Sequence, residues 1–234
     1  MEPLSGEIMR EVFSASPRQL SEISAELLFL NGEQYLFHYK QGNADKYKFV
    51  SPTSVRAAFS HTPIDSGWLK PGIQRWGTGP KGDWVVLFIP PQKHQIDLSE
   101  LGKIIVPLPA LVFAGIKQDY RVWAINSKEF SPDAIALNAP LPNVNPHSSF
   151  ICWGALKPPL AGTQTIHTAW EMFINSPFTS HWADGKSLRK PEDVRKTLLT
   201  ISSRKYPASD LVLFETNSYA PRHTIAQLID NLLN

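Results

Sequence analysis

Residues 139–159 read APLPNVNPHSSFICWGALKPP, and they hold the only cysteine of the chain, Cys152. Before this stretch the sequence consists of short apolar runs cut by prolines. After it, apolar residues recur at helical spacing. The stretch therefore marks the seam between a strand-rich and a helix-rich part. Strands first and helices last imply an α+β fold.

Working upstream from the seam, 120–125 (YRVWAI) alternates as a strand does, and 84–89 (WVVLFI) is a continuous apolar run ended by Pro90-Pro91, as for a buried strand. Residues 103–106 and 111–113, separated by Pro107 and Pro109, are two further strands, so the middle of the chain predicts an antiparallel meander. Residues 61–82 are rich in Gly, Pro and Trp and read as an ordered loop, with Trp68 and Trp76 pinning it to the core. Ser51-Pro52 starts a helix that places Val55, Ala58 and Phe59 on one face. Runs 26–30 and 34–39 around Asn31-Gly32 predict a β-hairpin, and residues 1–23 read as polar and loosely held. The expected organisation is an N-terminal extension with that hairpin, 1–45, and a second domain, 46–234.

Downstream, Ile166, Ala169, Trp170, Phe173 and Ile174 make one helical stripe, with Thr163 or Thr165 as its cap. Pro191-Glu192-Asp193 reads as the first turn of a second helix carrying Val194, Leu198 and Ile201. Ile225, Leu228, Ile229, Leu232 and Leu233 give a third. Residues 211–214 fit a short strand or a buried extended segment.

Composition bounds the function. The chain has 234 residues, 42% apolar and 19% charged, enough for a packed core. A net charge of +2 argues against a nucleic-acid binder driven by overall charge. One cysteine excludes an intrachain disulfide and cysteine-rich zinc sites. Residues 1–10 lack a signal-peptide pattern. The most apolar stretch, 104–116, carries two prolines and is shorter than the ~20 residues a membrane span needs. The expectation is a soluble, cytoplasmic protein without cofactor or metal.

Two readings of Cys152 stand side by side. A thiol on a loop can accept an acyl group as a thioester and pass it on. A cysteine between Ile151 and Trp153 can equally be a small core residue. His147 could assist the thiol or take a proton from an incoming amine, or could be a solvated loop histidine. His167 and His181 have no second ligand at metal spacing. A cysteine-protease arrangement of Cys152 with His181 or His223 and Asp184 or Asp210 lacks a local signature. Residues 77–82 (GTGPKG) match no phosphate-binding motif and read as a turn. Lys186, Arg189, Lys190, Arg195 and Lys196, interspersed with Asp184, Glu192 and Asp193, read as a solvated mixed-charge helix start.

Leu141-Pro142-Asn143-Val144, followed by 145–150 and Ile151-Cys152-Trp153, resembles the His-Pro-Asn segment and cysteine loop of the ubiquitin-conjugating (UBC) superfamily. Pro107-Leu108-Pro109 before Leu111-Val112-Phe113 is similar to the proline-containing strand of that fold. Asp65-Ser66-Gly67-Trp68, Trp76-Gly77, Cys152-Trp153-Gly154 and Ser176-Pro177-Phe178 look like the prokaryotic ubiquitin-conjugating-like family D, and within it the PRTRC system protein B group. The resemblance implies a UBC-like antiparallel β-meander followed by helices. It implies that Cys152 accepts a ubiquitin-like modifier as a thioester from a ThiF-type activating enzyme and transfers it to an amine. A JAB-type deconjugating peptidase would belong to the same system. Asn143 matches the asparagine that supports the loop and the oxyanion. The histidine position is Leu141 here and the gap to Cys152 is longer, so Asn145 could face the thioester instead. Some members of the superfamily bind ubiquitin-like proteins without conjugating them, which is the alternative function.

Overall fold

Prolines decide where the longest hairpin of the chain bends. In the computed structural model, β5 (Gly82–Ile89) pairs antiparallel with β8 (Ala110–Ile116), and β6 (Gln92–Leu98) with β7 (Gly102–Leu108). Ile89 faces Leu111 on one side of the break and Gln92 faces Leu108 on the other, so the register runs through unchanged. Pro90, Pro91 and Pro109 occupy the gap. Lacking N–H groups, they interrupt the ladder and split one long hairpin between two sheets.

The structure describes residues 25–31, 34–59, 66–79, 81–201, 204–215 and 222–233. Residues 1–23, Gly32 of the hairpin turn and Asp65 lie outside them, as do the side chains of Ala58 and Phe59. Two compact units divide the chain, Met1–Gly67 and Trp68–Asn234.

In the first unit β1 (Ala25–Leu30), β2 (Gln34–Gln41) and β3 (Ala44–Val50) form an antiparallel three-stranded sheet, followed by helix α1 (Pro52–Phe59). The expected hairpin is thus a meander. Strand β3, ADKYKFV, escapes a sequence reading because all but its last residue are exposed and half of its alternation is Lys and Asp.

In the second unit a five-stranded sheet runs β10-β9-β8-β5-β4, with β4 (Ile73–Gly79), β9 (Asp119–Ile125) and β10 (Leu137–Asn138). A smaller mixed sheet runs β11-β6-β7, in which β11 (Pro177–Phe178) pairs parallel with β6. Both faces of the large sheet are buried. Val85, Leu87, Leu111, Phe113 and Val122 pack with helix α2 (Ile166–Ile174) and with Val194 and Leu198 of α3 (Val194–Thr200). Val86, Val112, Ala114 and Trp123 pack with Phe214 and helix α4 (Ile225–Leu233). Two buried faces explain why these strands read as continuous apolar runs although the sheet is antiparallel. The molecule is α+β, and the three helices after the seam form where their stripes predict.

Residues 73–79 are strand β4 rather than loop, carrying Trp76, and Trp68 is 99% exposed and pins nothing. Pro191 precedes helix α3, whose cap is Asp193: its carboxylate accepts the Arg195 N–H at 3.0 Å. The basic cluster is not one solvated face. Arg195 pairs with Asp193 and Lys196 with Glu192, Arg189 reaches buried Asp210, and Lys186 is completely buried.

Candidate functional site

The 139–159 stretch folds back on itself. The Cys152 N–H donates to the Asn143 carbonyl at 2.8 Å, the Asn145 N–H to Phe150 O at 2.8 Å, and Val144 bridges Ile151. Residues 143–152 are therefore a short hairpin with Asn143 and Cys152 opposite each other at its base. Its tip is an Asx turn: Asn145 Oδ1 accepts the N–H groups of His147 (2.9 Å) and Ser148 (3.0 Å). The second arm docks on the outer edge of β9, where Val122 N–H donates to Ser149 O and Ile151 N–H to Tyr120 O.

Cys152 itself is partly exposed. Trp153 beside it turns into the core, with its ring 5.5 Å from Tyr120 and 6.0 Å from Phe173. Pairs of this kind contribute about 0.5–1.5 kcal/mol each beyond burial. Gly154, at φ +57°, and the exposed residues after it carry the chain away. The anchor therefore sits next to the thiol and not on it.

The other arm is held from below by a segment far along the sequence. Asn143 is buried at φ +59°, a left-handed conformation that asparagine tolerates. Its N–H donates to His181 O at 2.8 Å and its Nδ2 to Pro177 O at 3.0 Å, while its Oδ1 accepts from the Thr179 hydroxyl at 2.9 Å. Asn138 Nδ2 donates to Gly185 O at 3.2 Å. Lys186 Nζ donates to the carbonyls of Leu141, at 2.6 Å, and Val144. Burial lowers the Lys186 pKa to about 7, against an opposing pull from Asp184. Residues 177–186 thus form a cradle for 138–144.

The cradle is pinned in turn by a buried polar knot. Asp210 accepts hydrogen bonds from Tyr206 (2.6 Å), Ser187 (2.8 Å) and the Arg189 backbone (2.8 Å), and Ser187 contacts Thr197 at 2.7 Å. Burial pushes the Asp210 carboxyl up, but the Tyr206, Arg189 and Ser187 bonds outweigh it and hold the group below its ordinary value. The same burial, with the Asp210 bond, drives the Tyr206 hydroxyl far above its ordinary range.

The residues singled out in the sequence separate accordingly. Cys152 and Asn143 come together. Asn145 builds the hairpin tip. His147 is exposed at that tip and lines a hollow of about 240 Å³ with Arg121, Trp123, Phe214 and Leu228. His181 lies beside Asn143 through its carbonyl, with its ring against Trp182 at 4.1 Å. Asp210 engages no histidine among the described residues, so it does not serve as the acid of a protease arrangement. Lys186 and Thr179 were not singled out for this site. Nothing in their local spacing sets them apart, because their partners lie more than thirty residues away.

A family model described as prokaryotic E2 family D matches residues 46–214, most of the chain and the whole of the cysteine hairpin with its cradle. The chain belongs to prokaryotic E2 family D. Searches of curated proteins and of solved structures gave no match. For a family D member, the match carries an E2-like role and, in general terms, dealings with a ubiquitin-like modifier and an activating enzyme. Among the described residues, no helix of this family D chain is long and apolar enough to cross a membrane.

Proposed function

We propose that this protein is an acyl carrier of a bacterial ubiquitin-like conjugation system, with Cys152 as the acceptor. The observation that supports the reading most is the hairpin base: the only thiol of the chain, partly exposed, opposite Asn143 inside the family match. The Cys152 thiolate attacks the modifier's activated C-terminal carbonyl on a ThiF-type enzyme. A C–S bond forms and the activating enzyme's leaving group departs. A target amine then attacks the thioester, the C–N bond forms, the C–S bond breaks, and the amine proton passes to solvent or a nearby base. A JAB-type peptidase would reverse the conjugation. The proposal includes a UBC-type fold, membership of the PRTRC system protein B group and a cytoplasmic location. It also treats 1–45 as an extension to the 46–234 domain.

Asn143 has one amide hydrogen beyond the one on Pro177, so in this proposal it supports the loop and aids the oxyanion together. Asn145 and His147 take supporting roles at the tip. Asn143→Gly keeps the left-handed backbone accessible and removes only the side chain. It is expected to slow aminolysis of the thioester more than loading of Cys152, by ten- to a hundredfold, in single-turnover assays. Equal slowing of both steps would assign Asn143 to loop structure alone.

The direct test combines the protein with its activating enzyme, the modifier and ATP. An adduct cleaved by thiol reductant is expected for the wild type and absent for Cys152→Ser. A reductant-sensitive adduct that persists in Cys152→Ser would refute the carrier reading. Alkylation of Cys152 only after unfolding, without any adduct, would favour the non-catalytic binding module.

A further inference from the structure

We propose that Lys186 is the positioning residue for Cys152, fixing the 141–144 arm of the cysteine hairpin so that the Asn143 carbonyl meets the Cys152 N–H. The consequence for catalysis rests on Cys152 being the acyl acceptor; the positioning itself does not.

The geometry is specific. Leu141 and Val144 flank Pro142 and the left-handed Asn143, and both flanking carbonyls meet at Lys186 Nζ. Among the described residues no backbone N–H donates to either carbonyl. Both sites are buried, and buried carbonyls without donors are costly. One nitrogen with at least two N–H bonds satisfies both from a single point, and lysine supplies that in its charged and its neutral form alike. Lys186 is 0% exposed and both of its contacts end on this arm. Between the two captured carbonyls, the Asn143 carbonyl is left free to take the Cys152 N–H at 2.8 Å. The side chain is therefore spent on the frame of the thiol. It sits on a segment that Ser187 and Asp210 lock in place from the other side.

The test is amide hydrogen exchange by NMR on wild type and Lys186→Met, both checked for folding by circular dichroism. Exchange of the Cys152 and Asn145 amides is expected to quicken at least tenfold in the variant, while amides of β5 and β8 stay unchanged. Lys186→Gln, which keeps two N–H donors on one nitrogen, is expected to recover part of the protection. With the activating enzyme present, Lys186→Met is expected to lower the maximal rate of Cys152 loading at least tenfold and leave KM for the charged activating enzyme unchanged. Unchanged Cys152 exchange in folded Lys186→Met overturns the proposal. If that variant does not fold, amine acylation of native wild type decides: Lys186 is expected to react at least a hundredfold more slowly than exposed lysines, and equal reactivity overturns it. Exchange requires no modifier. Faster exchange in the variant, with no thioester even in wild type, would uphold Lys186 and remove the carrier reading alone.

Discussion

Between pH 7.5 and 9 the wild-type fold is expected to gain about 2 kcal/mol of stability, and Lys186→Met is expected to lose that gain. Burial takes the Lys186 pKa from the ordinary 10.5 to about 7, with Asp184 pulling the other way. Between those values the unfolded chain holds a proton that the folded chain has released. Stability then rises with pH, by at most about 1.4 kcal/mol per unit, and levels off above the unfolded value. Below pH 7 both states carry the proton and this slope vanishes. Tyr120 acts at higher pH and with the opposite sign. Its hydroxyl is raised by burial to about 12, so its contribution is complete below pH 10 and lost as pH climbs through 12. Urea unfolding at pH 7.5, 8.25 and 9, with a constant m-value, measures the effect. A flat wild-type profile would mean that Lys186 keeps its proton in the folded state.

Asp210→Ala is expected to cost about 3–5 kcal/mol, the usual loss when one partner of a buried charged network is removed. The carboxylate is 0% exposed and serves three donors besides its 3.4 Å pairing with the Arg189 guanidinium. Without it the Tyr206 hydroxyl loses its acceptor in the core, and the Arg189 N–H and the Ser187 hydroxyl each lose a bond. The solvent-exposed Lys196–Glu192 pair, with its side chains more than half exposed, gives the contrast: Lys196→Ala is expected to cost under about 1 kcal/mol. Denaturant midpoints of the two variants against wild type check both figures. A cost for Asp210→Ala as small as that of Lys196→Ala would mean that the knot does not hold the cradle.

What the sequence makes legible follows from which face of each element carries apolar residues. Residues 84–89, 111–113 and 120–125 announce themselves because the sheet is covered on both sides. Strand β6, QKHQIDL, does not: polar residues fill its first half, although the half-buried His94 ring lies 5.7 Å from Trp170, and Ile96 and Leu98 are its only fully buried positions. Strand β4 reads as loop because of Gly77 and Gly79. Gly77 is required by packing, since a Cβ there would stand 2.5 Å from the indole of Trp84 on the neighbouring strand. The candidate site is legible in its hairpin, where Asn, Pro and Cys lie within ten residues of one another. It is illegible in its cradle. A lysine among charged neighbours reads as solvated, and only the folded chain shows two inward carbonyls above it.

The dependence of the cysteine hairpin on residues 177–210 sets the order in which the protein is completed as it is made. The ladder of the long proline-kinked hairpin is made within residues 82–116, which favours its early pairing, while its apolar faces are covered only when the later helices follow. The frame of Cys152 cannot close until Lys186 has emerged, and the knot that locks Lys186 waits for Asp210. At ordinary synthesis rates, the roughly sixty residues between Cys152 and Asp210 take about 3–12 s. During that interval a growing chain carries its strand ladder but not its organised thiol, so in the proposed carrier role charging would be confined to chains translated past the lock.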